Sequence, residues 1–136
     1  MPTLETSIVL GRIWGVVMTI IALAFLINHR RYPAIMAEFA QTGVLLLSGI
    51  VALFIGVTTV VLHNLWVADW RVLITLFGWT ATIKGVVRVL FPEQISGWVR
   101  SLGMKPLLPW LIPALILFLL VGLYLIMVTG IVPAAV

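Results

Sequence analysis

The chain has no cysteine and only four acidic residues among its 136. The missing cysteine excludes disulfides, thiolate metal sites and dithiol redox motifs. Charged residues make up 9% of the sequence, whereas a soluble domain carries about 25% to cover its surface. None of Glu5, Glu38, Asp69 and Glu93 falls inside an apolar run. Proton-coupled cation exchange needs a carboxylate within the membrane, so that mechanism is not expected. His29 and His63 are placed at opposite membrane faces, which excludes bis-histidine haem. Zinc needs three or four ligands in one place, and His63 with Asp69 supplies two, so no metal or other cofactor is expected. No nucleophile–base–orienter set and no phosphate-cradling glycine loop is visible in the order of residues, and the reading is non-enzymatic.

What is present is 63% hydrophobic residues, gathered into four runs: Ile8–Ile27, Val44–Leu62, Val72–Leu90 and Leu107–Val128. At 1.5 Å of rise per helical residue each crosses or nearly crosses a ~30 Å hydrocarbon core. The runs lack the strict alternation of barrel strands. The sequence therefore predicts an all-α membrane protein, a four-transmembrane-helix bundle in a single domain spanning residues 1–136. The helices are expected at about 8–28, 44–62, 71–90 and 107–130, with interfacial helices at about 33–41 and 92–103. The first run reads as a retained helix, since no Lys or Arg precedes it and no small-residue cleavage site follows it.

Six of the eight Lys and Arg residues gather on one side: Arg30 and Arg31 in the first loop, and Lys84, Arg88, Arg100 and Lys105 around the third. Arg12 and Arg71 belong to the other. The positive-inside rule then puts loops one and three in the cytoplasm, and the second loop and both termini outside. The formal net charge of +4 has anionic lipid headgroups, not nucleic acid, as its partner, because the basic residues sit at helix ends. Both cytoplasmic loops start with an aromatic and a proline, Tyr32-Pro33 and Phe91-Pro92. In the second, Ile95, Trp98, Val99 and Leu102 share one face of a headgroup-plane helix. An offset of 59 residues superposes Arg12 on Arg71, Tyr32-Pro33 on Phe91-Pro92 and Phe39 on Trp98. Such a relation would make two parallel-repeated helical hairpins.

Small residues mark the packing faces. Gly49, Ala52, Gly56 and Thr59 on the second helix match Thr75, Gly78, Thr82 and Gly85 on the third, both in a seven-residue recurrence suited to antiparallel neighbours. Gly11, Gly15 and Thr19 form a stripe on the first. The fourth helix, crowded by Pro106, Pro109 and Pro113 at its start and anchored by Trp110, reads beyond Pro113 as a featureless face for lipid or an oligomer seam.

The second loop is the densest polar and aromatic stretch. Its members are His63, Asn64, Trp66, Asp69, Trp70 and Arg71, with Arg12 at similar depth. Asp69 is a candidate N-terminal cap, and Asp69 or Glu5 is the expected partner of Arg12. The cluster reads either as a polar clasp or as a ligand or proton-handling site at His63. Lys84 and Arg88 share a face placed away from the small-residue stripe. They would point to lipid headgroups or, alternatively, line an anion pocket.

The stretch His63-Asn64-Leu65-Trp66-Val67, Trp70-Arg71-Val72-Leu73, Thr75, Gly78-Trp79, Lys84-Gly85, Arg88 and Pro92 resembles a group of small bacterial four-helix membrane proteins with no assigned activity. That resemblance implies a bacterial inner-membrane setting and joins the second loop to the Gly78–Gly85 face as one unit. Three functional readings follow. The first is a scaffold or accessory protein, as a homo-oligomer or a subunit of a membrane complex. The second is an oligomeric small-solute permease or channel. The third is a membrane-embedded ligand- or lipid-binding protein using the outward loop.

Overall fold

The first helix begins before its apolar run because Thr3 caps it. The Thr3 hydroxyl oxygen accepts from the Thr6 amide at 3.2 Å, and Glu5 occupies the positive first turn. The run from Ile8 thus marks entry into hydrocarbon rather than the start of the helix. The computed structural model describes residues 3–102 and 108–131. Among them six α-helices follow in order: α1 (Leu4–Ile27), α2 (Tyr32–Phe39), α3 (Thr42–Leu62), α4 (Arg71–Leu90), α5 (Pro92–Leu102) and α6 (Leu108–Ile131). Four of them, α1, α3, α4 and α6, are long and apolar enough to cross a membrane.

The two elbows form as their prolines require. A short 3₁₀ turn, His29–Arg31, leads into α2, with Pro33 in the first turn where its missing N–H costs nothing. The first elbow helix ends at Phe39, two residues earlier than expected, because Gln41 turns extended to open α3. Pro92 opens α5 in the same way. The Ser96 hydroxyl of α5 is buried and donates to the Ala40 carbonyl at the end of α2, so the two elbows touch. Lys105 and Pro106 lie outside the described residues.

The spans pack as two pairs, α3 with α4 and α1 with α6, and α1 touches α4 between them. In the α3–α4 seam, a Cβ added at Gly85 would stand 2.5 Å from the Leu53 amide nitrogen. Gly56 meets the Thr82 backbone as closely, and Gly49 sits under the Cβ of Arg88. Thr59 and Thr82 return their hydroxyls to the Ile55 and Gly78 carbonyls of their own helices, both at 2.8 Å. That frees the Thr59 methyl to lie over Gly78. The neighbours inferred from the matching stripes are therefore in contact.

The other pair corrects the reading of the last helix. α6 is not featureless, because Gly122, Leu125 and Thr129 are buried at i, i+3 and i+7 and receive the Gly11, Gly15 and Thr19 stripe of α1. The isolated Gly122 and Thr129 were lost in a run of large apolar residues. First-with-last and second-with-third is one of the pairings that a two-fold relation between the chain halves would allow. The seams themselves do not repeat, since the 59-residue offset sets Gly122 against His63.

Arg88 also differs from expectation. It is half-buried, and its Nη1 reaches Ser48 Oγ on α3 at 3.4 Å. It lies only three residues past Gly85, about 60° around the helix, so it flanks the seam instead of opposing it. Lys84 is exposed.

The close approach at Gly85 has a measurable consequence. Gly85→Ala should cost about 1–3 kcal/mol, as overpacking against backbone does, while Gly43→Ala, where a Cβ meets nothing within 4 Å, should cost nothing. Thermal melts of the two variants in detergent check this.

Candidate functional site

Where α3 ends, the chain turns inward. His63 is extended, closes the helix with its amide on the Thr59 carbonyl at 2.7 Å, and buries its side chain completely. Its Nε2 lies 3.0 Å from Ser7 Oγ on α1, and its Nδ1 lies 3.2 Å from Thr75 Oγ1 on α4. Thr75 Oγ1 donates to the Leu65 carbonyl at 2.9 Å and accepts from the Leu65 amide at 3.1 Å. The Thr75 hydroxyl has one proton, and the Leu65 carbonyl takes it. Nδ1 must therefore carry the proton of the neutral imidazole and donate to Thr75, and Nε2 accepts from Ser7, whose hydroxyl has the Thr3 carbonyl at 3.3 Å as its other acceptor. This tautomer is assigned from the network. One side chain thus joins three spans.

Ser7–His63–Thr75 has the hydrogen-bond order of a nucleophile, a base and an orienting group, which the residue order did not reveal because the three are far apart in the chain. All three side chains are fully buried, and the Ser7 oxygen has no face open to a substrate. The arrangement is a clasp as it stands. Loss of water around the ring holds the imidazole below the ordinary histidine value. Its own backbone hydrogen bond and the Asp69 charge oppose that shift, and the Arg71 charge adds to it.

The remaining loop residues divide. Asp69 Oδ1 accepts from the Arg71 amide at 2.8 Å, and Oδ2 pairs with Arg71 Nη2 at 2.6 Å. Asp69 is not the N-cap, which is Trp70 with no side-chain cap bond; one residue earlier, its carboxylate takes the first amide of α4, and Arg71's hydrogen bonds keep it below the usual carboxylate range. Arg12 pairs with neither Asp69 nor Glu5. Its Nη2 donates to the Thr129 carbonyl at 2.9 Å, where the last carbonyls of α6 lack helical partners and present the negative end of the dipole. The correction follows from the α1–α6 pairing, which the sequence did not disclose. Asn64 Oδ1 accepts from the Trp66 and Trp79 indoles at 3.0 and 3.3 Å, linking loop and α4. Trp70 lies over Gly11, and Trp66 is exposed. Ser7 is the member that the sequence reading missed; a hydroxyl at the mouth of the first run, level with His63, was its only signal.

A second feature opens below the clasp. Trp14 and Phe77 meet between α1 and α4 at 5.5 Å, and beside them α1 and α3 part around a cleft of about 750 Å³. Ile13, Trp14, Val17 and Ile21 line one wall, and Val44, Leu47, Val51 and Ile55 the other, with Ala81 of α4 and Phe39 of α2 completing it. Ser48 is one of few polar residues on its surface. Arg30, Arg31, Lys84 and Arg100 are exposed at or near the elbow end.

Comparison with protein-family models, with curated proteins and with solved structures gives no match.

The buried imidazole sets a pH dependence. The folded chain binds the His63 proton less tightly than the unfolded chain does. The clasp is therefore fully stabilising above about pH 6.5 and weakens as pH falls through and below that value. Melting temperature should fall on acidification from pH 7.5 to 5, and the slope should flatten in His63→Gln. Asp69 titrates well below this window and leaves the slope to His63.

Proposed function

We propose that this protein is a scaffold or accessory subunit of the bacterial inner membrane, acting through helix packing and lateral contacts rather than catalysis. The observation that carries the reading is the division of its surfaces. The buried polar groups at the loop end are consumed by internal hydrogen bonds, whereas a cleft between α1 and α3 is lined almost wholly by apolar side chains. A permease would need a polar path, and this cleft offers hydrocarbon walls. The exposed cations at the elbow end favour a cytoplasmic position there, beside anionic headgroups, with the loop end and N-terminus outside. A homo-oligomer or a membrane complex is the fitting context for a chain with so little mass outside its spans.

Two measurements test this. Liposomes containing the purified protein should hold entrapped solute and ion gradients as long as protein-free ones; specific flux would overturn the reading. For orientation, the cysteine-free chain allows single cysteines at the exposed positions Ala68 and Glu93. A membrane-impermeant maleimide applied from outside intact cells, with the outer membrane permeabilised, should label Ala68→Cys and spare Glu93→Cys until lysis. The reverse pattern would invert the topology.

A further inference from the structure

We infer that the α1–α3 cleft is a binding site for an anionic phospholipid, with one acyl chain along the groove and the phosphate on Arg88. The inference rests on the reading above, of a chain that works by lateral contacts with its elbow end at a headgroup layer.

The groove is longer than one leaflet on its α3 wall and shorter than the whole hydrocarbon core on both. From Leu10 to Ile21 on α1, and from Val44 to Thr59 on α3, it runs about 16 and 22 Å at helical rise. One leaflet contributes ~15 Å of the ~30 Å hydrocarbon core. A partner's spanning helix would need the full thickness, which neither wall of the groove provides. Its volume of about 750 Å³ falls in the range of ligand pockets, about 300–1,000 Å³.

Its charge is at one end. Arg88 is seven residues beyond Ala81, which lines the groove, and the two differ by only about 20° around α4. The Arg88 guanidinium reaches Ser48, which also lines the groove. The Ser48 hydroxyl proton is committed to the Leu45 carbonyl at 2.9 Å, leaving its oxygen to accept. Among the described residues the ion pair is Arg71–Asp69, and Arg88 has no carboxylate beside it. A half-buried guanidinium with five donors and one long hydrogen bond is suited to a phosphate, which it can hold in a two-pronged grip. Arg88 stands two residues from the end of α4, about 3 Å from the helix terminus, at headgroup depth. Lys84, one turn away, adds a second positive charge.

Trp14 on the groove wall is the reporter. In liposomes carrying either phosphatidylglycerol or phosphatidylcholine brominated on its acyl chains, the quenching lost in Trp14→Phe isolates this tryptophan. Phosphatidylglycerol should quench it at about tenfold lower mole fraction than phosphatidylcholine, the scale of one charge-assisted contact. Arg88→Gln should bring the ratio to about one with the melting temperature held, and Arg88→Lys should keep part of it. Equal quenching by both lipids in the wild type would overturn the headgroup assignment. Failure of both lipids to quench Trp14, with a dimer trapped by cross-linking from Val51→Cys, would overturn the lipid site and assign the groove to a second copy. Flux in the same vesicles with the preference intact would sink the scaffold reading alone and leave the lipid site standing.

Discussion

In hydrocarbon, helices have no hydrophobic reason to prefer one another, because lipid tails compete with leucine on equal terms for every apolar face. Close backbone approach at glycine solves this within each pair, at Gly56 and Gly85 in one seam and Gly15 and Gly122 in the other. It does not join the pairs. That link is directional and polar: His63, reaching Ser7 on α1 and Thr75 on α4 from the end of α3. Each nitrogen of the ring has a hydroxyl partner, and Thr75 also holds both backbone groups of Leu65. Removing one partner would strand buried polar groups, which costs more than the bond itself contributes. The relative placement of the two pairs therefore depends on a small neutral network.

The cleft follows from the same economy of small residues. α1 has one stripe of glycines, and α6 occupies it. The face that α1 turns to α3 is left with Ile13, Val17 and Ile21, and α3 answers with Leu47, Val51 and Ile55. Stiff, branched side chains on both walls keep the backbones apart. At the loop end the pairs converge, where Trp14 meets Phe77, Trp70 and Ile74 lie over Gly11, and His63 meets Ser7. An apolar space open toward lipid is thus the complement of two well-packed seams.

Much of this was legible in the order of residues. The four spans, the proline-started elbows and the α3–α4 seam follow from hydropathy and from glycine and threonine spacing, because these signals are local to a helix. The α1–α6 seam was half legible: Gly11, Gly15 and Thr19 were visible, but not their counterparts at Gly122 and Thr129, since a seam read from one side does not name its partner. The site suffered most from this. Arg12 was assigned to a carboxylate because carboxylates are visible in sequence, whereas the acceptor it uses is a carbonyl at the end of a helix packed beside it. Ser7 and Thr75 belong to helices joined to His63 only by the fold. Arg88 was misplaced by a modest rotation, enough to turn a lipid-facing cation into one at the mouth of a groove.

The two ends of the bundle handle polarity in opposite ways. At the loop end, neutral hydroxyls and an imidazole held below its ordinary pKa are sealed from water, and the charged groups Asp69 and Arg71 pair outside that seal. At the elbow end, cations stand open or half-open, and Arg88 has the Ser48 hydroxyl for company. A sealed neutral network resists motion, because every displacement exposes an unsatisfied group. An open cationic end does not, since headgroups and water can replace any contact it loses. Any movement of the two pairs against each other is therefore expected to hinge at His63, and opening at the elbow end, where Arg88 lies, would have to break the buried Ser96–Ala40 contact.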